Sequence, residues 1–315
     1  MIRNRFTRAI KSLLVRIYLD LRWFLHRDRH SVPKEQKEHY RNIFNTSIRR
    51  IGVSPHIFEG NDFNNKIKWL MLFDQDPEKI RCSDKIAVRK YVKNAVGEEY
   101  LNEIYQNWDD PEDLRFDELP NAFALKTNHD SGSVWIVPNS SKVDFQKILR
   151  EVKISVGRRY YGESKGEWCY KHIEPRIFAE KFLVSGSSGI PDFKFHCSSG
   201  RVGFLQYIYN RMGGQPKEII VMPDGEVTNL RLDHEFEYGN GFILPQQWSE
   251  MIRVAERLSE PFKYVRVDLY LAEGKVKFGE MTFYPKNGNY RGTGQKVLGK
   301  LVDFDRATKL PPYSK

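Results

Sequence analysis

YVRVDLYLAEGKVKFGEMTFYP, residues 264–285, is the stretch that decides the fold. Two runs of alternating apolar and polar residues flank Ala272-Glu273-Gly274, which reads as a β-hairpin turning at the glycine. Strand side chains alternate with period two, so Arg266 and Asp268 share one face of the first strand, and Glu280 and Thr282 share one face of the second. Closing the turn near Gly274 brings Asp268 opposite Glu280. Two carboxylates and a hydroxyl beside an arginine suit Mg²⁺ and phosphate, because magnesium wants hard oxygen ligands and is held by one or two carboxylates plus substrate phosphates. A solvent-facing strand pair with incidental charges presents the same residues, and on the hairpin alone that is the commoner case.

A second hairpin complements the first. Pro120 opens the apolar strand NAFALKTN (121–128), which runs into a small-residue loop and the strand VWIVP (134–138). The strand carries Lys126. The loop is His129, Asp130, Ser131, Gly132 and Ser133, and such a loop exposes backbone N–H groups that bind phosphate oxygens. Alone it is a simple turn. Upstream, Ser83 reads as the cap of a helix DKIAVRKYVKNAVG closed by Gly97, with Arg89 at helix spacing from Lys85. Residues 33–50 read as a charged helix and turn, and 62–105 as helical and mixed. Further helices are expected over 143–155 and 246–259. Strands are expected over 176–184, DFKFHC (192–197), GRVGFLQYIYN (200–210) and EIIVMPDGEV (218–227), with a Gly/Ser loop at 185–189. The fold class is α+β.

The chain has 315 residues, 40% apolar and 13% aromatic, enough for a sizeable core in one large or two modest domains. Three cysteines without a CxxC pair exclude a disulfide framework and a cysteine-rich zinc site, and fit a reducing, cytosolic setting. His172, His196 and His234 lack metal spacing and read as surface or satisfied core residues. No apolar run reaches the roughly 18 residues that a membrane span needs.

Charge is uneven: residues 1–50 hold 13 Lys/Arg against 4 Asp/Glu, a net +9 of the chain's +10. Within them Phe6, Ile10, Leu13, Leu14, Ile17, Leu21, Phe24 and Leu25 recur at helical spacing, with Arg5, Arg8, Arg16, Arg22 and Arg27 on or near the other side. Such a helix either packs on the protein body or lies in the plane of the cytoplasmic membrane surface through residues 1–27, its arginines drawn to anionic lipid. No nucleic-acid partner is expected, since no basic, aromatic-bearing folded surface follows.

The order of these pieces resembles the TupA-like ATP-grasp proteins of bacterial cell-surface polysaccharide loci. SDKIAVRKYV, LPNAFALKTNHDSGS, EWCYKHIEPRIFAEKFL, PDFKFHCSSG and the final hairpin carry the resemblance, which covers about 80–290. It implies an ATP-grasp fold in which two α+β lobes sandwich ATP. The domains are then a basic amphipathic helix (1–30), a mainly helical region (31–119), a first lobe (120–183) and a second lobe with the metal-binding hairpin (184–315).

It also implies roles for particular residues. Arg89 and Lys126 would contact the ATP phosphates under the 129–133 loop. Glu180, Lys181, Phe182 and Leu183 would form the hinge strand that meets adenine. Asp192 would take the ribose hydroxyls and Lys194 a further nucleotide contact. Asp268, Glu280 and Thr282 would hold Mg²⁺, Thr282 standing where many ATP-grasp ligases have asparagine, and Arg266 would stabilise the acyl-phosphate step.

The implied activity is carboxylate–amine ligation on a uronic acid of a glycan or an amino acid, by a cytoplasmic enzyme peripheral to the membrane. Arg158, Arg159, Lys165, Lys171 and Arg176, with Tyr160, Tyr161 and Trp168, would form a lid that recognises sugar acids, or else an ordinary mobile loop. A glycosyltransferase of the same loci is the alternative function; its D-x-D pattern is matched only by the loose pairs Asp74/Asp76 and Asp303/Asp305. A membrane-docked scaffold with a decayed ATP site is a third possibility.

Overall fold

A computed structural model describes residues 2–158, 166–183, 189–211 and 214–306. Strands β1 (Ile104–Trp108), β2 (Phe123–Thr127), β3 (Val134–Val137) and β4 (Ile177–Lys181) form one antiparallel sheet in the order β1-β4-β2-β3. Ala124 lies opposite Glu180 and Lys126 opposite Phe178, so Lys126 and Glu180 are diagonal neighbours on one face. On the other face Phe123, Leu125, Ile177 and Ala179 are buried against Ile148 and Val152 of helix α6 (Phe145–Gly157). That helix starts where Asp144 accepts the Lys147 amide at 2.9 Å.

Strand β1 falls inside the stretch 62–105 and beyond, where the sequence reads as helical. It spans five residues and its register shifts between Ile104 and Gln106, so no clean alternation marks it.

The second sheet contains β5 (Asp192–Ser198), β6 (Arg201–Tyr209), β7 (Lys217–Val221), β8 (Val227–Thr228), β10 (Val265–Ala272) and β11 (Lys275–Thr282), in the order β11-β10-β5-β6-β7-β8. A short β9 (Glu237–Tyr238) runs parallel to β7. The period-two rule divides this sheet's faces. Phe195 points to one side, where Trp248 of helix α7 (Trp248–Ser259) meets it at 5.8 Å between ring centroids. His196 points to the other, where Phe63 of helix α3 (Phe63–Phe73) packs at 5.3 Å. His196 is thus a core residue, stacked on Phe204 and bonded to the Tyr264 hydroxyl. The same face carries Lys194, Arg266, Asp268, Glu280 and Thr282. Because α3 covers only its His196 end, the charged end is left facing the first sheet.

Two local expectations change. The helix expected to start at Ser83 is broken: α4 (Glu78–Ser83) ends there, and α5 runs Val88–Ala95. The Asp84 carboxylate accepts the Ile86 and Ala87 amides at 2.8 and 3.1 Å, outcompeting Ser83, whose hydroxyl turns to the Cys169 sulfur.

The second change is in α1 (Ile2–Phe24), which meets the body through the edge opposite its apolar stripe. Leu19 and Trp23 pack on Phe44 and Ile48 of α2 (Lys37–Ile51), and Arg41 pairs with Asp20. Leu13, Leu14, Ile17, Leu21, Phe24 and Leu25 stay exposed.

Candidate active site

The hairpin of β10 and β11 builds the centre. Asp268 pairs with Glu280 and Arg266 with Thr282 through a register shift between Asp268 and Leu269: the turn alone, which sets Ala272 opposite Lys275 and Leu269 opposite Phe278, would have placed Asp268 opposite Gly279. The Arg266 guanidinium donates to both oxygens of Asp268 at 2.6 and 2.7 Å, to Glu280 at 2.9 Å and to the Thr282 hydroxyl at 3.0 Å. From the neighbouring strand, Lys194 also donates to Asp268. Lys194 lies 3.6 Å from Asp192, whose other oxygen takes Arg211. The result is a continuous row of alternating charges along one sheet face.

The two acids differ electrostatically. Asp268 is 1% exposed, and burial pushes its carboxyl up, with Arg266 and Lys194 pulling it back only in part. Burial raises Glu280 as well, but Arg266, Lys85 and Lys194 outweigh it and bring it down to about 2. Burial also disfavours the Arg266 cation, yet Asp268, Tyr290 and Glu280 hold it well above the ordinary value. Glu280 keeps a third of its side-chain surface open to a cavity of about 370 Å³, which Lys85, Ser131, Tyr170 and Arg266 also line. The donor types suit magnesium, hard oxygens from two carboxylates and a hydroxyl on adjacent strands; Glu280 and Thr282 face the cavity, while both Asp268 oxygens are taken by Arg266 and Lys194. Among the described residues no cluster of three or more His, Cys, Asp or Glu could hold a metal ion, and this hairpin supplies two acids.

The first lobe supplies the cations. Lys126 pairs with Glu180 across the sheet. In the loop, the Asp130 carboxylate gathers the hydroxyls of Thr127, Ser133 and Ser155, pinning the loop to α6. Ser131 and Gly132 are left exposed at its tip, with Gly132 at φ 100°, a conformation that glycine adopts freely. His129 is buried with both ring nitrogens unpartnered, and burial lowers its pKa.

Lys85 was not singled out as a site residue by the sequence. Its ammonium reaches the Asp130 carbonyl and faces Glu280, because the break at Asp84 turns it into the cleft. Arg89 goes elsewhere. It donates to the Asn102 carbonyl at 2.8 Å and lines a separate cavity of about 380 Å³ with Lys181, Leu183 and Lys277. Arg89 therefore lies beside Lys181 and Leu183 and not at the 129–133 loop, where the family resemblance put it, and Lys85 lies beside that loop instead.

The hinge itself is held by Asn102, whose amide donates to the Lys181 carbonyl, and by Lys181 pairing with Glu273 across the lobes. Of the expected lid, Arg159, Tyr160, Tyr161 and Lys165 lie outside the described residues. Arg158 is exposed at the end of α6. Arg176 is tied to Asp84 and Trp168 to the Tyr284 hydroxyl, so these two are structural contacts.

A family model described as TupA-like ATPgrasp matches residues 65–302. The chain belongs to the TupA-like ATP-grasp family. The match begins within α3 and leaves α1 and α2 outside it. No curated protein matches. Solved structures that this ATP-grasp chain is similar to include an L-amino acid ligase from Bacillus licheniformis (16% identity, 64% of this chain and 42% of that one, TM-score 0.40). Others are a D-alanine–D-alanine ligase from Bacillus anthracis complexed with ATP (16%, 71% and 63%, 0.37) and a RimK domain ATP-grasp protein from Sphaerobacter thermophilus (13%, 72% and 69%, 0.39). The chain spans less than two thirds of the length of the first of these.

Proposed function

We propose that this chain is an ATP- and Mg²⁺-dependent carboxylate–amine ligase that modifies or builds a bacterial surface polysaccharide, acting on a uronic or amino acid carboxylate. The observation that carries this reading is Asp268 set opposite Glu280, bridged by Arg266 and facing Lys85 and the 129–133 loop. When bound, Mg-ATP supplies the phosphoryl group that turns a carboxylate into an acyl phosphate, which an amine then opens to an amide. Phosphoryl transfer asks the protein mainly for positioning and charge neutralisation. Lys126 and Lys85 neutralise phosphate oxygens, Lys126 exchanging Glu180 for them, and the Ser131–Gly132 tip closes over them.

The backbone of Lys181, Phe182 and Leu183 receives the adenine, Asp192 the ribose hydroxyls, and Lys194 orients the row between them. Glu280 and Thr282 would hold the metal, with Asp268 joining them on exchanging Arg266 or Lys194 for it. Arg266 lies within reach of both acids and stabilises the charge that builds on the reacting carboxylate. Arg89, at the hinge cavity, contributes to the nucleotide pocket beside Lys181 rather than to the phosphates.

The exposed stripe of α1 fits a peripheral position on the inner face of the cytoplasmic membrane. Leu13, Ile17, Leu21 and Phe24 would enter the interface. No described helix is long and apolar enough to cross a membrane.

The test of the ligase reading traps the intermediate. Wild-type protein with Mg-ATP, hydroxylamine and a panel of uronic-acid oligosaccharides and amino acids is expected to form a hydroxamate together with ADP. Neutral glycans should give neither. ADP release that ignores the carboxylate, or sugar transfer from a sugar nucleotide in its place, would discard the ligase.

A further inference from the structure

The catalytic cavity does not end at the hairpin. Its outer wall is Arg50 and Arg291, and both also line a groove of about 790 Å³ between residues 47–55 and 290–296. That groove shares Arg49 with a third, of about 940 Å³, between α1 and α2. Through these shared residues the three adjoin as a trough that runs from Arg266 to the groove between α1 and α2, on the side of α1 away from its exposed apolar stripe.

The middle of the trough is strongly basic. Arg49, Arg50, Arg291 and Lys296 are all exposed on it, and none has a carboxylate partner within 4.0 Å among the described residues. Asp62 is the one acid on that wall, and it is committed to capping α3 and bonding Asn65. Four unneutralised like charges along one groove raise the local potential and favour a ligand with several negative charges in a line. Exposed rings for base stacking are missing among the described lining residues: Tyr290 is buried and Trp23 is packed on Phe44.

We infer that this trough binds an extended, carboxylate-bearing glycan, with successive acid groups on Arg291, Arg50, Arg49 and Lys296 while the reacting carboxylate lies at Arg266. The assignment of the reacting end rests on the ligase reading; the trough itself binds without nucleotide.

The experiment is fluorescence anisotropy with labelled oligogalacturonate against wild type and the Arg49→Ala/Lys296→Ala variant, two exposed residues away from the reacting groups. The variant is expected to bind the oligomer about tenfold more weakly, as loss of two charge-assisted contacts predicts, with unchanged affinity for galacturonate monomer and for Mg-ATP. Arg49→Lys should restore most of the loss. Equal oligomer binding by wild type and variant, or no binding by wild type, overturns the trough. Tighter binding of polyphosphate or single-stranded poly(dT) than of oligogalacturonate overturns the glycan class. Oligogalacturonate binding by a protein that fails to bind Mg-ATP would defeat the ligase reading and leave the trough standing.

Discussion

Asp268 and Glu280 face each other across one strand pair, yet their environments push them in opposite directions. Asp268 lies nearer Arg266 and Lys194 but is almost fully buried, whereas Glu280 is a third exposed and also faces Lys85, so Glu280 is the member held ionised and open to the cavity. Glu280→Gln keeps the shape and removes the charge. We expect ADP formation to fall about 10²–10³-fold, the scale of losing one preorganised electrostatic group, with the far-UV spectrum unchanged.

The same residue has a pH signature. Its folded value lies near 2, below the 4.5 of the free side chain, so its stabilisation is complete above 4.5 and is lost as pH falls toward 2. Melting curves should therefore show wild type losing more Tm than Glu280→Gln between pH 5 and 3; parallel losses would contradict the charge web. The hairpin and its Asp268–Glu280 pair were expected from the alternation and the glycine turn, but the turn's own register would oppose Asp268 to Gly279, and the shift between Asp268 and Leu269 that brings Glu280 across was not legible. The places of Lys85 and Arg89 were not legible either, because they depend on which of Ser83 and Asp84 wins the cap, a local competition that spacing cannot decide.

Among the elements, α6 links stability to the phosphate loop. Its inner face covers the first sheet, while its Ser155 hydroxyl meets Ser133 and Asp130. Asp144→Ala removes the cap and should lower stability by about 1 kcal/mol in denaturant unfolding, with Asp144→Asn close to wild type; an unchanged midpoint for the alanine variant would show that the cap does not hold the helix. The hairpins, α6, α7 and the long strands of the second sheet were readable from alternation and helical spacing. Strand β1 was not: its register shift disrupts the alternation, and its place comes from pairing with β4, more than 70 residues away. The outward stripe of α1 also reversed the simplest expectation, since an apolar face is ordinarily the packed one. Here two residues, Leu19 and Trp23, make the contact, and Arg41–Asp20 fixes the angle.

At the scale of the whole molecule, the two sheets meet at a cleft where Lys85 and the 129–133 loop face the alternating charges of the second sheet, and α1 presents its apolar residues away from the body. Co-sedimentation with anionic vesicles should fall with salt and with Leu13→Ser/Ile17→Ser, while neutral vesicles bind less. Equal binding to both vesicle types, or none, would leave the stripe without a lipid role. The most direct test of the central claim is calorimetric titration of Mg-ATP and of a uridine diphosphate sugar into wild type, Lys126→Ala and Glu280→Gln. Wild type should bind ATP in a magnesium-dependent way, Lys126→Ala should bind it much more weakly, Glu280→Gln should lose the magnesium dependence, and the sugar nucleotide should bind to none of them. Sugar-nucleotide binding without ATP binding, or ATP affinity indifferent to magnesium and to both substitutions, would contradict the account.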